Sequence, residues 1–170
     1  MSGDPAQQLE ELHPASFGWA LACCRWQREE AEEVLQATYL KVLDGRARFD
    51  GRSSFRTWLF AVIRRTAAER RRAGWVRRLA GGRWLDGQPA PAPVPTPESA
   101  ARDCELARAL RRGLRALPGR QREVLHLVFY QELTIEAAAR VLGISVGSAR
   151  THYQRGKAGL RRLLAQGSEP

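Results

Sequence analysis

The chain has 170 residues, enough for one domain or two small ones, and carries 28 Lys and Arg against 18 Asp and Glu, a formal net charge of +10. That balance points to a polyanionic partner. Three cysteines without a CxxC pair and three scattered histidines argue against a disulfide framework or a zinc site, and no apolar run approaches the roughly 20 residues of a membrane span.

The charge is segregated. Ala61 to Leu85 holds eight arginines and one acid, Glu69, whereas Glu29, Glu30, Glu32 and Glu33 cluster together. The polar start lacks the pattern of a secretory signal, so the chain is expected in the cytoplasm with no membrane insertion. No metal or cofactor is expected, and no constellation of side chains suggests a catalytic reaction.

Met1 to Glu11 reads as a loose leader. His13-Pro14 suits a helix start, with Phe17, Leu21 and Cys24 facing inward. Glu29 to Leu43 reads as a second helix, with its acids at the positive end of the dipole. Ala31, Val34, Leu35, Thr38, Tyr39 and Val42 form one face; Glu32, Glu33, Gln36 and Lys41 lie toward the other. Asp44-Gly45 breaks that helix. A polar loop, Arg46 to Ser53, follows, and Ser53 or Ser54 can cap a third helix. There Phe55, Trp58, Leu59, Val62, Ile63 and Thr66 make the strongest amphipathic pattern in the chain. The first module is expected over 12–74.

Residues 75–98 form the connection. Trp75 to Leu85 is ambiguous, but Asp86 to Pro97 has proline at alternate positions from Pro89 and should be extended and semi-rigid. The second module, 99–166, opens with a helix over Ser99 to Leu117 that carries Leu106, Leu110, Gly113, Leu114 and Leu117 on one side. Pro118-Gly119 stops it. A helix over Arg120 to Gln131 follows, with Val124, Leu125, Val128 and Phe129 apolar.

Thr134 to Arg155 then reads as two short helices around a tight turn. Thr134 caps the first, Ile135, Ala138, Ala139 and Leu142 face inward, and Gly143 ends it. Ser145 caps the second, whose inward positions are Val146, Ala149, Tyr153 and Gly156. Leu160, Leu163 and Leu164 continue it and close the core. This is the helix-turn-helix pattern, whose second helix enters the DNA major groove. Ser148, Arg150, Thr151, Gln154 and Arg155 face outward, and its first turn has no acid to repel a phosphate. An ordinary helical hairpin with a solvated basic face is the plainer alternative. The fold class is all-α: two small helical domains joined by a Pro-rich linker, the C-terminal one a helix-turn-helix.

Two stretches carry a family resemblance. Ala31 to Arg72, with FRTWL at 55–59, resembles region two of bacterial sigma factors of the extracytoplasmic-function type. Leu117 to Leu164 resembles region four of the same sigma-70 family. The resemblance implies a dissociable subunit of RNA polymerase that binds the core enzyme, directs it to promoters and promotes melting. It assigns docking on the coiled coil of the largest polymerase subunit to Glu32, Glu33, Leu35, Gln36 and Tyr39, with the flap as a further contact. It assigns the minus-ten element, including a flipped base, to Arg46, Arg48, Phe49, Asp50, Arg52, Ser53, Ser54, Arg56, Arg64 and Arg65. A flipped base needs a stacking surface and polar groups for its edge. Trp58 suits the core better than a base wedge. Duplex minus-thirty-five DNA is assigned to Arg120, Ser148, Arg150, Thr151, Gln154 and Arg155. An anti-sigma factor is a further expected partner.

Two departures stand out. The docking helix reads Gln36-Ala37-Thr38-Tyr39 where relatives often read QETF, and the linker is proline-rich where the family's is often acidic. The alternative function is a free-standing regulator that binds duplex operators without polymerase.

Overall fold

The computed structural model describes residues 4–79 and 99–166, without the side chains of 77–79, 99–107 and 166. The described residues are helical with connecting turns, and they divide into two compact units.

The first unit contains α1 (Pro5–Glu11), α2 (His13–Cys23), α3 (Arg28–Leu43) and α4 (Phe55–Leu79). The helix α1 corrects the expected loose leader. Asp4 accepts the Ala6 backbone N–H at 3.0 Å, Pro5 occupies the first turn, and Leu9 is buried. One apolar anchor and a good cap are enough to order a polar segment that runs into another helix.

The three longer helices pack on one another around Trp19, Val34, Leu59, Phe60 and Ile63. The phase of α2 differs in part from expectation: Cys24 is buried as expected, but Ser16, Trp19, Ala20 and Cys23 make the inward face, while Phe17 and Leu21 are half-buried at the margin. The large indole decides which face turns in. Arg25 and Trp26, at φ 53° and 68°, reverse the chain before α3. The acids Glu29 and Glu30 lie in the first turn of α3 and Lys41 in its last, as the helix dipole favours.

Ser54 caps α4 by accepting the Thr57 backbone N–H at 3.2 Å, an arrangement worth about 1 kcal/mol. The helix runs through Gly74 to Leu79. Trp75 and Val76, in the ambiguous stretch, are helical and exposed. The proline-rich segment lies outside the described residues.

The second unit contains α5 (Ser99–Ala116), α6 (Gly119–Leu125), the larger part of α7 (Ile135–Leu142) and α8 (Val146–Gln166). Leu114, Leu117 and Leu125 form its centre, with Leu110, Tyr153, Leu160 and Leu163 against them. α6 passes at His126–Tyr130 into a wider π-turn. The extra residue per turn shifts the buried face: Leu127 is fully buried, Val128 only partly, and Phe129 is 56% exposed. The regular helix expected over Arg120 to Gln131 is therefore corrected: it is α-helical only to Leu125.

The helix-turn-helix forms as its caps predict. Thr134 accepts the Ala137 N–H at 3.1 Å, and Ser145 accepts the Ser148 N–H at 3.1 Å. Gly143 takes φ +63°, which favours glycine, while the Ile144 N–H reaches back to the Ala139 carbonyl. Ala138, Ala139 and Ala149 are buried.

Candidate nucleic-acid and polymerase interfaces

The loop between α3 and α4 brings aromatic and basic groups together. Gly45 and Gly51, both at positive φ, let it fold back tightly. The Ala47 N–H bonds the Lys41 carbonyl at 2.7 Å, and the Arg52 N–H bonds Asp50 at 3.2 Å. Phe49, 39% exposed, lies 5.5 Å from both the Phe55 and Trp58 rings, which are 5.2 Å apart. Trp58 is thus a half-buried member of this cluster and not part of the sealed core; the fully buried aromatic of α4 is Phe60.

Arg46 pairs with Asp44 at 2.9 Å, Arg48 donates to the Gly45 carbonyl at 3.2 Å, and Arg52 pairs with Asp50 at 3.5 Å. Ser53 donates to the Ser54 carbonyl at 3.1 Å, while the Ser54 hydroxyl donates to Thr57 at 2.9 Å. Arg56 lies over the Phe60 ring at 5.4 Å; Arg64 is half-buried and Arg65 exposed. A cleft of about 280 Å³ opens beside the loop between Lys41, Arg46, Arg48, Trp58, Arg65 and Glu69. An aromatic wall edged by guanidinium groups suits a base and its phosphates. Phe55 and the exposed part of Trp58 belong to that wall but read as core positions in the sequence, because their spacing is that of the apolar face.

On α3 the expected docking residues separate. Glu32 is exposed and pairs with Arg28 at 2.8 Å; Glu33 pairs with Arg70 of α4; Gln36 is exposed. Tyr39 is half-buried, its hydroxyl 3.1 Å from His13 Nδ1, and burial pushes its phenol up. Leu35, at 3% exposure, belongs to the core and is removed from the surface set. In its place, Leu40 and Leu43 are 49% and 57% exposed. Continuing the spacing Glu32, Gln36, Leu40, Leu43 along the helix would have found them.

On α8, Ser148 and Thr151 turn toward their own helix: the Ser145 hydroxyl donates to Ser148 Oγ at 2.9 Å, and Thr151 donates to the Gly147 carbonyl at 3.0 Å. Gln154 and Arg155 are exposed. Arg150 pairs with Glu136 of α7 at 3.3 Å. Arg120, at the start of α6, pairs with Glu123 at 3.4 Å. Five of the six expected groups therefore share the outer side of one helix.

Among the described residues no group of three or more His, Cys, Asp or Glu side chains is placed to hold a metal, and no helix is long and apolar enough to cross a membrane. Cys23 and Cys24 are buried free thiols, and burial pushes Cys24 up to about 12.

Comparison with known proteins accounts for both units. Residues 9–79 match Sigma-70 region 2, and residues 107–160 match Sigma-70, region 4. RNA polymerase sigma factor CarQ of Myxococcus xanthus is 32% identical over 139 residues, covering 80% of this chain and 75% of that protein. ECF RNA polymerase sigma factor SigX of Bacillus subtilis is 30% identical over 139 residues, covering 81% and 72%. Among solved structures, the sigma factor RpoE crystallised with the anti-sigma factor NepR from Bartonella quintana has the same fold at a TM-score of 0.70, with 23% identity and 94% and 96% of the two chains covered. CnrH, in complex with the cytosolic domain of CnrY, matches at a TM-score of 0.65 and 25% identity, covering 98% and 92%. A free-standing regulator is not favoured, because it leaves the region 2 match unexplained. The chain belongs to the extracytoplasmic-function RNA polymerase sigma factors of the sigma-70 family.

Proposed function

We propose that the two units divide promoter recognition between them: residues 12–74 dock on core polymerase and capture the melted minus-ten element, and 99–166 read the minus-thirty-five element as duplex, with 75–98 as the connection. The observation that carries this reading is the arginine-edged cluster of Phe49, Phe55 and Trp58 in a chain that also presents a capped helix-turn-helix.

A base leaving the stack meets the Phe49 ring, with Asp50, Arg52, Ser53 and Ser54 offering polar groups to its edge. Arg46, Arg48, Arg56, Arg64 and Arg65 hold the phosphates on either side. The energy for melting comes from this capture; no chemical step and no nucleotide hydrolysis is required of the chain. On α8, Arg150 and Gln154 reach base edges, Arg155 a phosphate, and Ser148 and Thr151 make shorter-range contacts. Arg120 holds a flanking phosphate.

Glu32, Glu33, Gln36 and Tyr39, extended by Leu40 and Leu43, form the surface for the coiled coil of the largest polymerase subunit. An apolar stripe with acidic residues at one end fits a protein partner better than it fits DNA. The flap is the partner of the second unit. The place of action is the cytoplasm, where the polymerase works. The relative solved with an anti-sigma factor supports a similar partner here.

The test is co-purification with core polymerase. The wild-type chain should bind. The double substitution Gln36→Ala, Leu40→Ala should weaken binding about tenfold or more, since a few well-packed side chains dominate such interfaces. Binding unchanged in that variant would contradict the docking assignment.

A further inference from the structure

Glu136 and Arg150 are 14 residues apart and meet across the turn of the helix-turn-helix, with Glu136 Oε1 3.3 Å from an Arg150 Nη. Glu136 stands in the first turn of α7, and Arg150 on the outer face of α8. The two side chains are 52% and 65% exposed, so the pair contributes little to folding. Its effect lies in where it holds a long cationic side chain. A guanidinium has five donors in a planar fork, so one edge can rest on a carboxylate while another addresses a base.

We propose that Glu136 is a positioning residue for minus-thirty-five recognition: it holds Arg150 toward the base edges and keeps it from settling on phosphates of any sequence. This rests on the reading of Arg150 as a base contact. Two physical effects act together. The tethered guanidinium loses less rotamer freedom when it meets its base. The carboxylate, carried close to the duplex, repels phosphates, and that repulsion is offset only when Arg150 finds a matching base edge. The pair therefore acts on discrimination more than on affinity.

The geometry also makes Glu136 a fixed point. Its carboxyl lies below the usual range, held first by its own backbone N–H and then by Arg150. The Thr134 cap fixes the turn that carries it. Glu136 thus faces a helix that holds five basic residues and no acid from Ser145 to Gln166.

The test uses the full chain bound to core polymerase and measures closed-complex affinity on two promoter duplexes, one with the minus-thirty-five element intact and one with it scrambled. Glu136→Gln should tighten binding to the scrambled duplex and reduce the ratio of the two affinities roughly two- to fivefold. Glu132→Gln makes the same change in charge outside the pair and should shift both duplexes alike. In an Arg150→Ala background, Glu136→Gln should not change the ratio further. A ratio unaltered by Glu136→Gln, with Arg150→Ala still reducing it, would overturn the positioning role and leave the Arg150 contact standing. A ratio unaltered by Arg150→Ala would overturn that contact and, with it, this inference.

Discussion

The indole N–H of Trp19 donates to the Phe60 carbonyl at 2.9 Å, and the two rings stack with centroids 6.2 Å apart. Both residues are fully buried, and the bond ties α2 to the N-terminal part of α4. Trp19→Phe keeps an aromatic ring but removes the donor. It should cost about 1–2 kcal/mol, and Trp19→Ala about 3–5 kcal/mol, through the loss of packing. Urea unfolding followed by circular dichroism measures both. A Trp19→Phe variant as stable as the wild type would show that the hydrogen bond contributes nothing.

The Phe49 ring is held by Phe55 and Trp58 yet keeps an exposed face. Phe49→Ala should therefore impair promoter melting about tenfold while leaving closed-complex affinity within about twofold, in line with the 1–3 kcal/mol of a base–aromatic stack. Permanganate reactivity of unpaired thymines reports melting. Unaltered reactivity in the variant would remove Phe49 from the base-capture role.

Gly156 lies where α8 crosses α6. A Cβ there would meet Leu125 Cδ1 and Cγ at 3.1 Å and Gln121 Cβ at 3.3 Å. Alanine gains about 1 kcal/mol of helix propensity and loses a similar amount to crowding. Gly156→Ala should accordingly stay within about 1 kcal/mol of wild type, and Gly156→Leu should cost about 3 kcal/mol or more. A Leu variant as stable as the Ala variant would mean that the crossing is loose.

His126 is buried, and burial pushes its imidazole down to about 4. An unfolded histidine titrates near 6.5. Between those values the unfolded chain binds a proton that the folded one does not. The contribution is therefore complete above about pH 6.5, falls as pH drops toward about 4, and levels off below that. At pH 5 the loss should be about 2 kcal/mol relative to pH 7.5. Thermal unfolding of the wild type should fall more over this interval than that of His126→Gln, which does not titrate. Parallel falls would assign the pH dependence to other groups.

Much of this was legible in the sequence because it depends on local rules. The caps at Thr134 and Ser145, the glycine at 143 and the face Ala31, Val34, Thr38, Val42 all follow from spacing and side-chain chemistry, and the structure has each in place. The misses have non-local causes. α1 is held by one buried leucine that meets its partners only in the folded state. Trp19 overrides the periodicity of α2 because burying an indole outweighs the smaller residues beside it. The π-turn at His126–Tyr130 shifts the apolar phase, which no fixed period anticipates. Leu35 has an inward spacing in the sequence, and the family resemblance alone placed it on the docking surface. The pair Glu136–Arg150 joins two helices, so neither helix's own pattern contains it.

The most direct measurement is run-off transcription by core polymerase on a pool of the host's promoter fragments, with and without this chain, beside duplex binding by the chain alone. The account predicts selective transcripts only when the chain and core polymerase are both present, and weak, unselective duplex binding without polymerase. Tight sequence-specific duplex binding by the chain alone, with no association with core polymerase and no selective transcript, would contradict it.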